Sequence, residues 1–254
     1  MEAREILHCI DRGANRYIHL FGMAEHMEVT QTAHYKVLKP KAGEYGICFV
    51  YDIDLDALTD TEQDEQIAQI KALGYPWWLD LCASDALFYK FFGKERVHGQ
   101  TQFADNDEVY MAMLPEELPA QENENTEVVR VCTQEQFAAW AKVANDVLSG
   151  GMEDLHPVYH WPLCEHGLME CYTLYKETQV VAVAAIIVSE GSASLEFVAT
   201  VPGKRRCGFA TAVCDQAVRA AFENGAGIVT VRAIDAAAAK LYATLGFKVY
   251  NQWI

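Results

Sequence analysis

The sequence predicts an α/β protein built in two consecutive halves, each a β-sheet flanked by helices. Short β-branched or aromatic runs alternate with runs of helical period along all 254 residues. Near the middle, Pro115–Glu127 carries five acids, two prolines and no basic residue, which marks a solvated linker between a half at 1–120 and a half at 126–254. A hydrophobic content of 51% supplies apolar material for two modest cores.

In the leading half the pattern gives a helix over Met1–Met23, strands near Tyr35–Leu38 and Ile47–Asp52, and a helix over Thr61–Leu73. A helix over Ser84–Phe92 and a strand over Val109–Leu114 follow. Half of residues 52–65 are acidic, which suits a solvated face.

The richest stretch lies in the trailing half. Leu195–Val201 is an apolar strand, Lys204, Arg205 and Arg206 form a basic turn, and small residues then open a helix. That order builds an anion site, because the first backbone N–H groups of a helix have no intrahelical partner and sit at the positive end of its dipole. Three cations stand together here in a chain of formal net charge −16. Neither Gly-x-x-x-x-Gly-Lys-Ser/Thr nor Gly-x-Gly-x-x-Gly after a strand is present, so a P-loop and a dinucleotide fingerprint are both excluded.

Apolar pairs at 212–213, 217–218 and 221–222 continue the helix to its stop at Asn224-Gly225. Ile228–Arg232 is a short strand. Asp235 caps a helix over Ala236–Thr244, and after Gly246 comes a last strand, Phe247–Trp253.

Arg205-x-x-Gly208-x-Ala210, set between strand and helix, resembles the acyl-coenzyme-A pyrophosphate loop of the GNAT superfamily of N-acetyltransferases. Asp235-x-x-Ala238-x-x-Leu241-Tyr242-x-x-Leu245-Gly246-Phe247 resembles the second signature of that superfamily, with Asp where Asn is usual. Arg96-x-x-Gly99-x-Thr101 half-matches the loop without a strand before it or a helix after it. The resemblance covers approximately residues 126–254. It implies a first strand at Val128–Val131, a helix at Gln134–Leu148, and a hairpin of Leu168–Lys176 and Val180–Ser189 around Glu177–Gln179. Gly74–Leu79, with its Trp77-Trp78 pair, and Val109–Leu114 resemble the degenerate leading half of two-part members, although core packing explains the tryptophans equally well.

The implied activity moves an acetyl group from acetyl-CoA, as co-substrate, to a primary amine of a small molecule or peptide, by direct attack in a ternary complex. Val198, Ala199 and Thr200 would lie along the pantetheine arm. Arg205, Arg206, Cys207, Gly208, Phe209, Ala210 and Thr211 would hold the pyrophosphate, with Tyr242 beside the thioester. Tyr242 is the expected general acid for the departing thiolate; its rival role is core filling beside Leu241 and Leu245. Glu196 is the expected base, two residues past the superfamily's usual position near Ser194, with a water relay as the alternative. An acyl-CoA-binding sensor or interaction module without turnover is the reading from another class, and transfer of a longer acyl chain a third.

Eight cysteines without a Cys-x-x-Cys pair, and a Met-Glu-Ala-Arg-Glu start without a signal peptide, lead us to expect reduced thiols in the cytoplasm. The acidic balance disfavours nucleic acid and anionic membranes and suits a cationic amine. Nine apolar residues at 180–188 are too few to cross a bilayer. His156, His160, Cys164 and His166 have zinc-type ligands at helical spacing, but Pro157 and Pro162 argue against a continuous helix through all four positions, so no metal is expected. By the same resemblance this segment, with Tyr159 and Trp161, forms a wall of the acceptor pocket or packs beneath it.

Overall fold

The computed structural model describes residues 1–96, 108–120, 127–151 and 154–252. The leading half runs α1 (Ala3–Phe21), β1 (Met27–Gln31), β2 (Lys36–Pro40), β3 (Phe49–Tyr51), α2 (Asp60–Ala72), α3 (Asp85–Phe92) and β4 (Val109–Met113). The trailing half runs β5 (Val128–Arg130), α4 (Gln134–Leu148), α5 (Pro157–Glu165), β6 (Met169–Lys176), β7 (Gln179–Ser189) and β8 (Ser192–Thr200), then α6 (Phe209–Glu223), β9 (Val229–Ala233), α7 (Ala236–Thr244) and β10 (Lys248–Gln252).

Helices start where a side chain satisfies an orphan N–H. Thr59, Ser84, Thr133 and Asp235 accept from Glu62, Leu87, Gln136 and Ala238 respectively. Strand β1 is absent from the sequence reading because only Met27 of its five residues is buried, so no apolar alternation marks it. It is the edge of an antiparallel sheet β1-β2-β3, which Val50 extends by a single parallel bridge to Trp77.

The larger sheet is mixed, seven strands in the order β10-β4-β9-β8-β7-β6-β5. Strand β4 belongs by sequence to the leading half, yet both of its neighbours come from the trailing half: Met111 pairs with Val231 on one side and Val249 on the other. The expected division between 120 and 126 therefore does not divide the sheet. The start of the linker is also tied down, with Glu117 on Lys248 at 2.5 Å and the Pro119 carbonyl accepting from Arg219 at 2.7 Å, so it is not freely solvated.

Residues of the sheet alternate between two cores, as the period of a strand requires. Tyr110, Ala112, Val183 and Ala185 face α1 and α4, whereas Val109, Met111, Ala182 and Ala184 face α6 and α7. Helix α1 sits low on the sheet because Gly13 has no side chain: a Cβ there would lie 3.1 Å from Ser194 Cβ and Thr230 Oγ1. A third core, around Leu38's neighbour Val37, Leu55, Ile70 and Phe88, holds the small sheet to α2 and α3.

Pro157–Glu165 is a helix that stops short of His156 and His166, which are its two caps, so no continuous helix runs through all four candidate ligands. Pro157 occupies its first turn, where the missing N–H has no partner in any case, and buried His160 and Leu163 anchor the face opposite the single bond that Pro162 removes.

Candidate active site

Strands β8 and β9 run parallel and pair from Ala193–Val229 to Leu195–Val231, then separate. On its other edge β8 carries a β-bulge: Val183 faces Ala199 and Ala185 faces Glu196, so Phe197 and Val198 together oppose Ala184. Phe197 takes the left-handed conformation (φ 53°) at this bulge. The parting strands open a cavity of about 800 Å³.

One end of the cavity is the loop before α6. Arg206 (φ 60°) and Gly208 (φ 78°) both lie in the left-handed region, and no side chain caps the helix. Its first-turn amides thus have no side-chain partner at the positive end of the helix dipole. Gly208 is needed here for its dihedral angle, since a Cβ would meet nothing within 4 Å. Lys204, Arg205, Arg206, Gly208, Phe209, Ala210 and Thr211 line this end, with Val198, Ala199 and Thr200 along the strand. Arg205 is steadied by its Nε, which donates to the Thr200 carbonyl at 3.3 Å. Cys207 is exposed and outside the lining, its thiol turned to the Arg205 carbonyl.

Deeper in, Tyr242 and Glu196 line the same cavity. Burial holds the Tyr242 phenol well above its ordinary pKa, and the charges nearby push the same way, so the hydroxyl keeps its proton at neutral pH. Glu196 is also buried, which raises its pKa, while Arg232 opposes that rise from 3.0 Å. Arg232 itself is drawn down by burial but raised more by Glu196, Tyr17 and Glu108, so it stays charged. Its guanidinium carbon lies 4.9 Å from the Tyr17 ring centre and 5.4 Å from that of Trp78.

Sequence reasoning missed Tyr17, Glu108 and Arg232 in this lining. Arg232 had a signal, as the one charge in the apolar run 228–233; Tyr17 and Glu108 had none, because only the fold brings α1 and the strand after Glu108 to β9. Ser194, the superfamily's usual base position, faces Gly13 of α1 and not the cavity.

The segment 156–166 does not form a wall of this cavity. Among the described residues, His156, Tyr159, His160 and Trp161 are outside its lining. Tyr159 stacks on His26 at 4.2 Å, and His160 Nδ1 accepts from the His156 amide at 2.9 Å. Arg96, of the half-matched loop, donates to the carbonyls of Leu81 and Ala83 at 2.8 Å each; Gly99 and Thr101 lie outside the described residues.

No helix among the described residues is long and apolar enough to cross a membrane. Residues 127–247 match the model of the acetyltransferase (GNAT) family. Solved structures align over nearly the whole chain at low identity, and so share its fold. A GCN5-related N-acetyltransferase from Kribbella flavida is 16% identical, covering 94% of this chain and 92% of its own, with a TM-score of 0.62. A tandem GNAT protein from the clavulanic acid biosynthesis pathway is 8% identical, with coverage of 96% and 93% and a TM-score of 0.56. An acetyltransferase-fold protein of the GNAT family from Novosphingobium aromaticivorans is 13% identical, with coverage of 95% and 96% and a TM-score of 0.51. No curated protein matches the sequence.

Proposed function

We propose, from the match of residues 127–247 to the acetyltransferase (GNAT) family, that the chain transfers an acetyl group from acetyl-CoA to the primary amine of a small-molecule or peptide acceptor. The fork between β8 and β9 carries this reading: it opens at Leu195–Val231 onto an uncapped helix start flanked by Arg205 and Arg206. A pyrophosphate suits that end, where main-chain donors and fixed positive charge converge. The unpaired edge of Val198–Thr200 offers backbone groups to the pantetheine arm.

Attack forms the N–C bond and breaks the C–S bond. Of the two protons that the ammonium loses, one ends on the sulfur and one reaches solvent. Tyr242, protonated and walled into the cavity, is the donor to the departing thiolate. Glu196, directly or through a water, accepts the proton from the amine, and burial, which raises its pKa against the pull of Arg232, makes it the more ready acceptor.

Purified full-length protein, acetyl-CoA and a panel of primary amines test this by the appearance of free coenzyme-A thiol. Release that depends on the amine is expected. Coenzyme binding with no such release from any amine would make the chain an acyl-CoA-binding module.

A further inference from the structure

We propose that the acceptor is a monocationic primary amine with no carboxylate beside its nitrogen, held by Glu108; this deepens, and rests on, the acetyl-transfer reading above. Glu108 immediately precedes β4, the strand that the leading half inserts beside β9, and it lines the cavity together with Glu196, Arg232 and Tyr17. Its carboxylate is held in place by Tyr110, whose hydroxyl donates to Oε2 at 2.8 Å. Residues 108 and 110 fall on one face of the strand by its period of two, and Tyr110 is anchored in turn edge-on to Trp78 at 5.6 Å.

Charge decides what this end accepts. Arg232 pairs with Glu196 at 3.0 Å, whereas Glu108 accepts from the Tyr110 hydroxyl and, among the described residues, has no cation bonded to it, so one of the two carboxylates is left without a partner cation. Arg232 is engaged by Glu196 through its Nη2, its Nε is buried without a hydrogen-bond partner, and the rings of Tyr17 and Trp78 lie against it. The remaining cations of the lining, Lys204, Arg205 and Arg206, stand at the opposite, loop end. A single ammonium completes the balance. An α-amino acid would bring its carboxylate toward Glu108 and Glu196, where among the described residues the one cation is Arg232, already engaged by Glu196.

The test compares matched pairs on the wild-type full chain: phenethylamine against phenylalanine, and butylamine against norvaline. Acetyl-CoA affinity is measured first by calorimetry. The expected result is a kcat/KM for each amine at least about tenfold above that of its amino acid, the scale of one charged hydrogen bond. Glu108→Gln, which keeps shape and an oxygen for Tyr110, should raise KM for the amine by about tenfold with little change in kcat or in acetyl-CoA affinity. Equal or better use of the amino acids overturns the proposal, as does an unchanged KM in Glu108→Gln. Tight acetyl-CoA binding with no turnover of any monocationic amine also overturns it. Failure of the wild-type chain to bind acetyl-CoA removes the acetyl-transfer reading itself, which the calorimetry identifies separately.

Discussion

Arg232 Nη2 lies 3.0 Å from Glu196 Oε2, and the two side chains are only 17% and 9% exposed. A buried pair of this kind contributes little net stability, but losing one member strands the other. Arg232→Met is therefore expected to destabilise the fold by about 3 kcal/mol, at the low end for a buried pair because Arg232 keeps some solvent contact. Arg232→Met with Glu196→Gln should recover most of that loss. Denaturant unfolding of the two variants checks this, and equal destabilisation of both would mean that packing on Tyr17 and Trp78, not charge, is what Arg232 supplies.

Gly208→Asp should abolish acetyl-CoA binding while the chain stays folded. The position is open, so bulk is tolerated, and Asp is among the residues that best accept a left-handed backbone; the carboxylate then repels the pyrophosphate. Calorimetry on wild type should give one site per chain. Two sites, or equal affinity in the variant, would relocate the coenzyme.

Tyr242→Phe keeps the ring against Phe247 and removes only the hydroxyl. Turnover should fall by about 10²–10⁴-fold with acetyl-CoA affinity unchanged. A wild-type rate would leave Tyr242 as a packing residue and the thiolate to depart unassisted.

A fragment covering 127–254 should fail to fold. Without β4 it lacks the strand between β9 and β10, and both would expose unpaired edges. A cooperative unfolding transition from the isolated fragment would show that the insertion is dispensable.

His160 gives the fold a pH dependence. Burial pushes its pKa down to about 4 from 6.5, so between those values the unfolded chain binds the proton and the folded one does not. This contribution is complete above about pH 6.5 and is lost as pH falls toward 4, by about 1.4 kcal/mol per pH unit within the window. The difference in Tm between wild type and His160→Asn should shrink from pH 7 to pH 5. A constant difference would assign the histidine a purely steric role.

Much of the architecture was legible because helix caps and hairpin turns are local. Asp235 announces a helix within three residues, and α4 and α7 lie where the sequence puts them. The loop from Arg205 to Thr211 was legible for the same reason, as strand, turn and helix start are contiguous. What escaped was non-local. Nothing around Val109–Met113 says which sheet it joins, and Tyr17, Glu108 and Arg232 meet only after that choice is made. Within α5, Pro157 falls in the first turn, where its missing N–H has no partner in any case, so the helix forms between His156 and His166 without including either.

The placement of β4 also sets an order of events at the ribosome. Val109–Met113 is five apolar residues, fully buried once folded, yet its partners at 229–233 and 248–252 are synthesised more than a hundred residues later. Until they emerge, the nascent strand has no native neighbour and presents a sticky, uncharged segment to every other chain nearby. Final closure of the sheet must then join segments far apart in the chain, which makes it a slow, late step. The end of the cavity that Glu108 lines comes into being only with that closure, so a molecule arrested before it would carry the basic loop before α6 and yet lack the far end of the proposed site.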